Sequence, residues 1–151
     1  MKGRWKKYLN ETKLRVFDFD DTLVKTDATV KVVYPGGEEE VLTPAEFSQH
    51  KMSDENRYDF SEFNFVMNPR EITKVTNILR NVINAGGDRD VVILTARDPE
   101  SQTAIEDYLK DIGISPSGID IVLLGSSDPE SKANWIENRI VDGATDILFL
   151  D

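Results

Sequence analysis

An alternation along the chain limits the fold more than any other feature. Residues 14–19, 90–95, 119–124 and 147–150 are short runs of apolar and β-branched residues. Each is apolar on both faces, as buried parallel strands are. Between them lie segments with helical spacing. Ile72, Val75, Leu79, Val82 and Ile83 recur from Pro69 up to the stop at Gly86-Gly87. Ala104, Ile105, Tyr108, Leu109 and Ile112 do so before Gly113, and Ala133, Ile136 and Ile140 between Asp128-Pro129 and Gly143. Strands joined by helices over short connections pair in parallel through right-handed crossovers. The expected class is α/β, a doubly wound and mostly parallel sheet built as one domain over residues 1–151.

Ligands of such sheets gather at the carboxyl ends of the strands. The first strand breaks there into Asp18-Phe19-Asp20-Asp21-Thr22. On a continuing strand Asp18 and Asp20 point the same way, and like charges this close need a cation or a proton between them. The second strand ends on Thr95 and the fourth on Asp151. Taken singly, each has a plain reading: a solvated acidic turn, a strand-end hydroxyl. Three of four strands delivering a polar residue to one edge argue instead for a site.

The sequence DxDxT after an apolar strand resembles the first motif of the haloacid dehalogenase (HAD) superfamily, and three further pieces follow in order. Thr95 closes an apolar strand, Lys132 lies near the start of the helix before the last strand, and Asp151 follows that strand. The resemblance runs from Leu14 to the end and is weakest over residues 24–68. It implies a HAD-like Rossmannoid fold and a phosphate-transfer site. Asp18 would be the nucleophile and form an aspartyl-phosphate. Asp20 would protonate the leaving oxygen and then deprotonate water. Mg²⁺ would be held by the Asp18 carboxylate, the Asp20 backbone carbonyl and Asp151. Thr95 would donate to the phosphoryl oxygens, and Lys132, otherwise an ordinary solvated helix lysine, would offset their charge. Arg97, in Thr95-Ala96-Arg97, is expected either to contact substrate or to form a structural ion pair, with Asp98 as one candidate partner. Asp21 stands where the family often has glycine and is expected in the turn, with Thr22 fixing that turn and orienting Asp20.

Residues 24–68 are expected to form a flap or small cap. Two β-type runs at residues 29–34 and 40–42 flank Pro35-Gly36-Gly37 and read as a hairpin. Thr43-Pro44-Ala45-Glu46 opens a short helix fading near Met52. Residues 53–68 are read as an irregular connection, with room for a short strand or one helical turn. Their aromatics (Tyr58, Phe60, Phe63, Phe65) suit either lid packing or stacking on a base or ring. His50 is expected to be an exposed helix residue and no ligand.

Composition removes some function classes. The chain has no cysteine, so disulfides, thiolate metal sites and cysteine nucleophiles are excluded. Lys+Arg 18 against Asp+Glu 28 gives −10, which opposes general binding to nucleic acid or anionic membrane. Lys2, Arg4, Lys6, Lys7, Lys13 and Arg15 nonetheless precede the first motif, and the first five form a basic segment over residues 1–13 that is either simply solvated or a polyanion-binding arm. No run is apolar and long enough for a signal-peptide core or a membrane span, so a cytoplasmic protein is expected. HAD proteins usually continue past the fourth motif with a second acid, which leaves the last strand here an expected edge, covered by a partner or by further chain.

The leading functional expectation is a Mg²⁺-dependent phosphomonoester hydrolase. Its substrate is left among nucleotides, small metabolites and nucleic-acid terminal phosphates. A HAD-fold domain that binds phosphate and Mg²⁺ with little or no turnover is the alternative. A phosphotransferase is a third reading and needs a lid that excludes water.

Overall fold

The computed structural model describes residues 12–151. Residues 1–11, including the expected short stretch at Trp5, Tyr8 and Leu9, lie outside the described residues. In chain order come β1 (Thr12–Phe17), β2 (Val24–Lys25), β3 (Val30–Val33), β4 (Glu39–Leu42), α1 (Pro44–Gln49), β5 (Arg57–Asp59) and β6 (Arg70–Glu71). There follow α2 (Thr73–Ala85), β7 (Arg89–Thr95), α3 (Gln102–Asp111), β8 (Asp120–Leu123), α4 (Pro129–Val141) and β9 (Ala144–Leu150). The protein is α/β, with a four-stranded parallel sheet in the order β8-β7-β1-β9 and two small antiparallel sheets.

Side chains of the central strands alternate between two cores, as the pleat requires. Phe17, Val91 and Ile93 pack with Leu79 of α2 and Ile105 and Leu109 of α3. Leu14, Val16, Val92 and Leu94 pack with Trp135 and Ile136 of α4. Helices therefore cover both faces, which is why these strands carry apolar residues at successive positions. Leu79 and Ile105 are fully buried. Burial of each such side chain contributes about 1.5–3 kcal/mol.

The first motif sits at the middle of the sheet because β1 pairs with both β7 and β9. Phe17 lies level with Ile93 on one side and with Leu150 on the other. The carboxyl ends of the three strands therefore lie side by side. On β9 a bulge falls between the partners of Lys13 and Leu14, so that Asp146 is the extra residue, with φ of 51°. Arg15 secures it with bonds to the Asp146 carbonyl (2.5 Å) and carboxylate (3.1 Å). Among the described residues β9 is an edge strand, as expected, and Leu148 beside the bulge is 43% exposed.

The insertion has a closed stem. β2 and β6 pair antiparallel, Val24 with Glu71 and Lys25 with Arg70, and Arg70 bridges to Asp27 at 3.0 Å. This pairing takes residues 70–71 out of the helix expected from Pro69, so α2 begins at Thr73. Beyond the stem, β3 and β4 form the expected hairpin, with Gly37 at φ 89° in the turn. Thr43 and Glu46 make a reciprocal capping box at the start of α1. The stretch read as irregular supplies both a short strand and a helical turn. β5 adds to the open edge of β3, and residues 61–64 form a 3₁₀ turn. Its Glu62 carboxylate accepts from the Thr29 N–H at 3.1 Å and from its hydroxyl, tying the turn to the hairpin.

His50 differs from expectation. It ends α1 partly buried, stacks on Phe47 and bonds the Tyr58 hydroxyl at 2.9 Å. Aromatic spacing across the α1–β5 connection pulls it inward. No described helix is long and apolar enough to cross a membrane.

Candidate active site

Asp18 lies just past β1, where its N–H donates to the Leu150 carbonyl at 2.8 Å and so extends the β1–β9 ladder by one step. One carboxylate oxygen, Oδ1, accepts the Phe19 N–H at 2.8 Å and lies 2.9 Å from the Lys132 ammonium. The Asp151 carboxyl is within hydrogen-bonding reach of the same side chain. Burial pushes the Asp18 carboxyl up to about 6; Asp151 adds to the rise, and Lys132 and the Phe19 N–H oppose it.

Lys132 arrives from α4. Asp128 caps that helix by accepting the Glu130 N–H at 3.0 Å, and Pro129 starts it. The loop before it is zipped to the β7 loop by backbone bonds from Leu124 to Thr95 and from Gly125 to Arg97 (3.0 and 3.1 Å). These bonds fix where α4 begins and hence where Lys132, one turn in, can reach.

The chain turns sharply after Phe19, with Leu23 and Val24 N–H groups both directed to the Phe19 carbonyl. Asp21 sits in this turn at φ 61°, exposed, and its N–H donates to the Val24 carbonyl at 2.8 Å. That left-handed conformation is one in which glycine is free of strain and Asp is tolerated, so the turn accepts either. Thr22 is buried in the same turn, its N–H directed to the Phe19 carbonyl.

Asp20 does not join the Asp18 cluster through its side chain. Its two carboxylate oxygens are gripped by Arg97, Nε to Oδ2 and Nη2 to Oδ1, each at 2.8 Å. The Arg97 side chain is almost wholly buried, between the rings of Phe19 and Phe63. Its remaining nitrogen, Nη1, donates to the carbonyls of Phe63 and Phe65 (2.7 Å each) and to the Ser101 hydroxyl (3.0 Å). Of the two expectations for Arg97, the structure places it in an ion pair, and the partner is Asp20 instead of Asp98. Thr95 is buried at the end of β7, and its hydroxyl oxygen accepts the Arg97 N–H at 3.1 Å. That bond leaves the hydroxyl's own proton uncommitted.

The structure therefore brings Asp18, Lys132 and Asp151 together and sets Asp20, Arg97 and Thr95 beside them. Sequence reasoning missed the Phe63 and Phe65 carbonyls, Ser101 and Phe19. A backbone carbonyl leaves no mark on residue identity, so no signal pointed to the first two. Among the described residues there is no group of three or more acid, histidine or cysteine side chains arranged for a metal. The reason is visible: Asp20 faces Arg97, which leaves two carboxylates, Asp18 and Asp151, beside each other, with the Lys132 ammonium paired to Asp18. This surplus of negative charge in a half-buried place suits a divalent cation that keeps several waters and takes few protein oxygens. Compared with known proteins, the chain matches no family model, no curated protein and no solved structure.

Proposed function

We propose that this chain is a phosphomonoester hydrolase of the HAD type, with a doubly wound core, residues 24–68 as a small cap, and an aspartyl-phosphate intermediate on Asp18. The observation that carries the reading is the Asp18 carboxylate. It lies at the carboxyl edge of a parallel sheet, 2.9 Å from a lysine ammonium and beside a second acid, and burial raises its pKa to about 6. A buried acid so placed is suited to chemistry and costly for stability alone.

In the proposed reaction an Asp18 carboxylate oxygen attacks phosphorus, and the bond from phosphorus to the ester oxygen breaks. Asp20 supplies the proton to that oxygen, which leaves as an alcohol. Water then attacks the phosphorus of the aspartyl-phosphate, Asp20 takes its proton, and phosphate departs with the Asp18 carboxylate restored. Lys132 offsets charge on Asp18 and the transferring group, and the Thr95 hydroxyl donates to a phosphoryl oxygen. Mg²⁺ held by Asp18 and Asp151, with the Asp20 carbonyl as the third protein ligand, would supply the positive charge that lets a phosphate dianion approach these acids.

One observation favours the second reading, a phosphate- and Mg²⁺-binding domain with little turnover. Arg97 bonds both oxygens of Asp20, so only their remaining lone pairs are open to a proton exchanged with substrate or water. Phosphate release from benzyl phosphate with Mg²⁺ separates the two readings when run beside calorimetry of phosphate binding. Turnover by wild type, absent in Asp18→Asn, supports the hydrolase. Mg²⁺-dependent phosphate binding with equal, background release by both proteins supports the binding domain.

A further inference from the structure

A cleft of about 420 Å³ opens between the insertion and the loops that follow β7 and β8. Of the first-motif aspartates, Asp20 alone contributes to its wall. The proposed reaction gives Asp20 the proton that the departing alcohol receives, so the cleft is where the alcohol part of the substrate lies. This step rests on the hydrolase reading above.

The character of the wall then sets the substrate class. Val30, Pro44, Phe47, Met52, Phe60 and Phe63 make it largely apolar. Phe47 and Phe60 meet edge to face at 5.3 Å between centroids, which holds both rings in place. Phe63 is steadied by the Arg97 guanidinium 5.3 Å from its ring centre. The polar remainder is hydroxyl and acid: Ser126, Ser127 and Asp98. Arg97 is the one cation in the wall, and all three of its nitrogens are already bonded, to Asp20, two carbonyls and Ser101, which leaves one N–H on Nη2. A second phosphate or a carboxylate on the leaving group would meet Asp98, and the one cation present is already paired with the Asp20 carboxylate.

We propose that the substrate is a phosphomonoester of an uncharged, ring-bearing alcohol, whose ring lies against Phe47, Phe60 and Phe63. Sugar bisphosphates, nucleoside polyphosphates and phosphorylated nucleic-acid ends are disfavoured by the same wall. Burying one ring against apolar walls, with water excluded from both, gives discrimination of about 10-fold or more.

The test compares kcat/KM for benzyl phosphate, glycerol phosphate and a sugar bisphosphate, all esters of alkyl alcohols, so that leaving-group acidity does not dominate. It also compares binding of benzylphosphonate and methylphosphonate, which cannot be hydrolysed, with Mg²⁺ present. The proposal expects benzyl phosphate to exceed the other two esters by about 10-fold or more, and benzylphosphonate to bind correspondingly more tightly. Met52 is 54% exposed on the rim, so Met52→Lys leaves the core intact. It should narrow the gap to the bisphosphate several-fold. Equal efficiency on all three esters overturns the cleft assignment and leaves the hydrolase standing. No turnover of any ester, with benzylphosphonate still preferred, keeps the cleft as a ring-binding site and sinks the hydrolase. No turnover and no preference between the phosphonates overturns both.

Discussion

Arg97 holds both carboxylate oxygens of Asp20 at 2.8 Å while its other nitrogen bonds the carbonyls of Phe63 and Phe65. One side chain thus joins the acid of the first motif to the far end of the insertion. The Arg97 side chain is buried and each of its nitrogens is bonded, which supports a positioning role in the proposed reaction.

Replacement of Arg97 should therefore cost stability as well as activity. Arg97→Ala removes a buried cation with bonds to five acceptor atoms and is expected to destabilise by about 3 kcal/mol or more. Arg97→Lys keeps the charge, cannot span two oxygens, and should lie between. Urea unfolding together with proteolysis of residues 43–68 reads this out. Unchanged stability with only KM raised would mean that Arg97 contacts substrate instead.

Asp18 should lower the stability of the metal-free fold at neutral pH. Its carboxyl is raised from an ordinary value of 3.8 to about 6, so between these values the native state holds the proton more firmly than the unfolded chain. Stability attributable to Asp18 is then full below about pH 4 and is lost as pH rises through about 6. Asp18→Asn should be more stable than wild type at pH 7.5 by an amount on the order of 1–3 kcal/mol, with the difference fading toward pH 4. Thermal melts of both proteins across this range, in chelator, measure it. A mutant less stable at pH 7.5 would contradict the burial argument.

Lys132 opposes the rise at Asp18. Lys132→Met should move the acid limb of the kcat/KM profile to higher pH and lower kcat by about 100-fold or more. A lysine that served only α4 would change neither the limb nor the rate.

Asp151 acts in the opposite sense, raising Asp18. Asp151→Asn should lower the Asp18 pKa and yet raise the Mg²⁺ needed for half activity by about 10-fold or more, because one of the two carboxylates proposed as ligands is gone. Activity titrated with Mg²⁺ after chelation, repeated across pH, shows whether both changes occur together.

The alternation of strand and helix was legible because each central strand is buried on two faces and a glycine follows each of α2, α3 and α4. Once β1 is central, Asp18, Thr95 and Asp151 must share an edge, so that part of the site was legible too. What escaped was set by partners distant in sequence. Arg97 and Asp20 lie 77 positions apart, and Asp98, next in the chain, looked the nearer acid. The start of α2 at Thr73 depended on β6 finding β2, a pairing of two residues with no periodicity to read. His50 turned inward because Phe47 and Tyr58 meet it, a cluster spread across a loop of irregular spacing.

The central claim is that Asp18 carries phosphate covalently. Wild type and Asp18→Asn, mixed with Mg²⁺ and benzyl phosphate and quenched in acid within the first turnover, can be digested and examined by mass spectrometry for a phosphorylated peptide. A phosphoryl group on the peptide containing Asp18, present in wild type and absent in the mutant, is the expected result. Turnover by wild type with no acyl-phosphate on that peptide at any quench time, or equal turnover by the mutant, would contradict it.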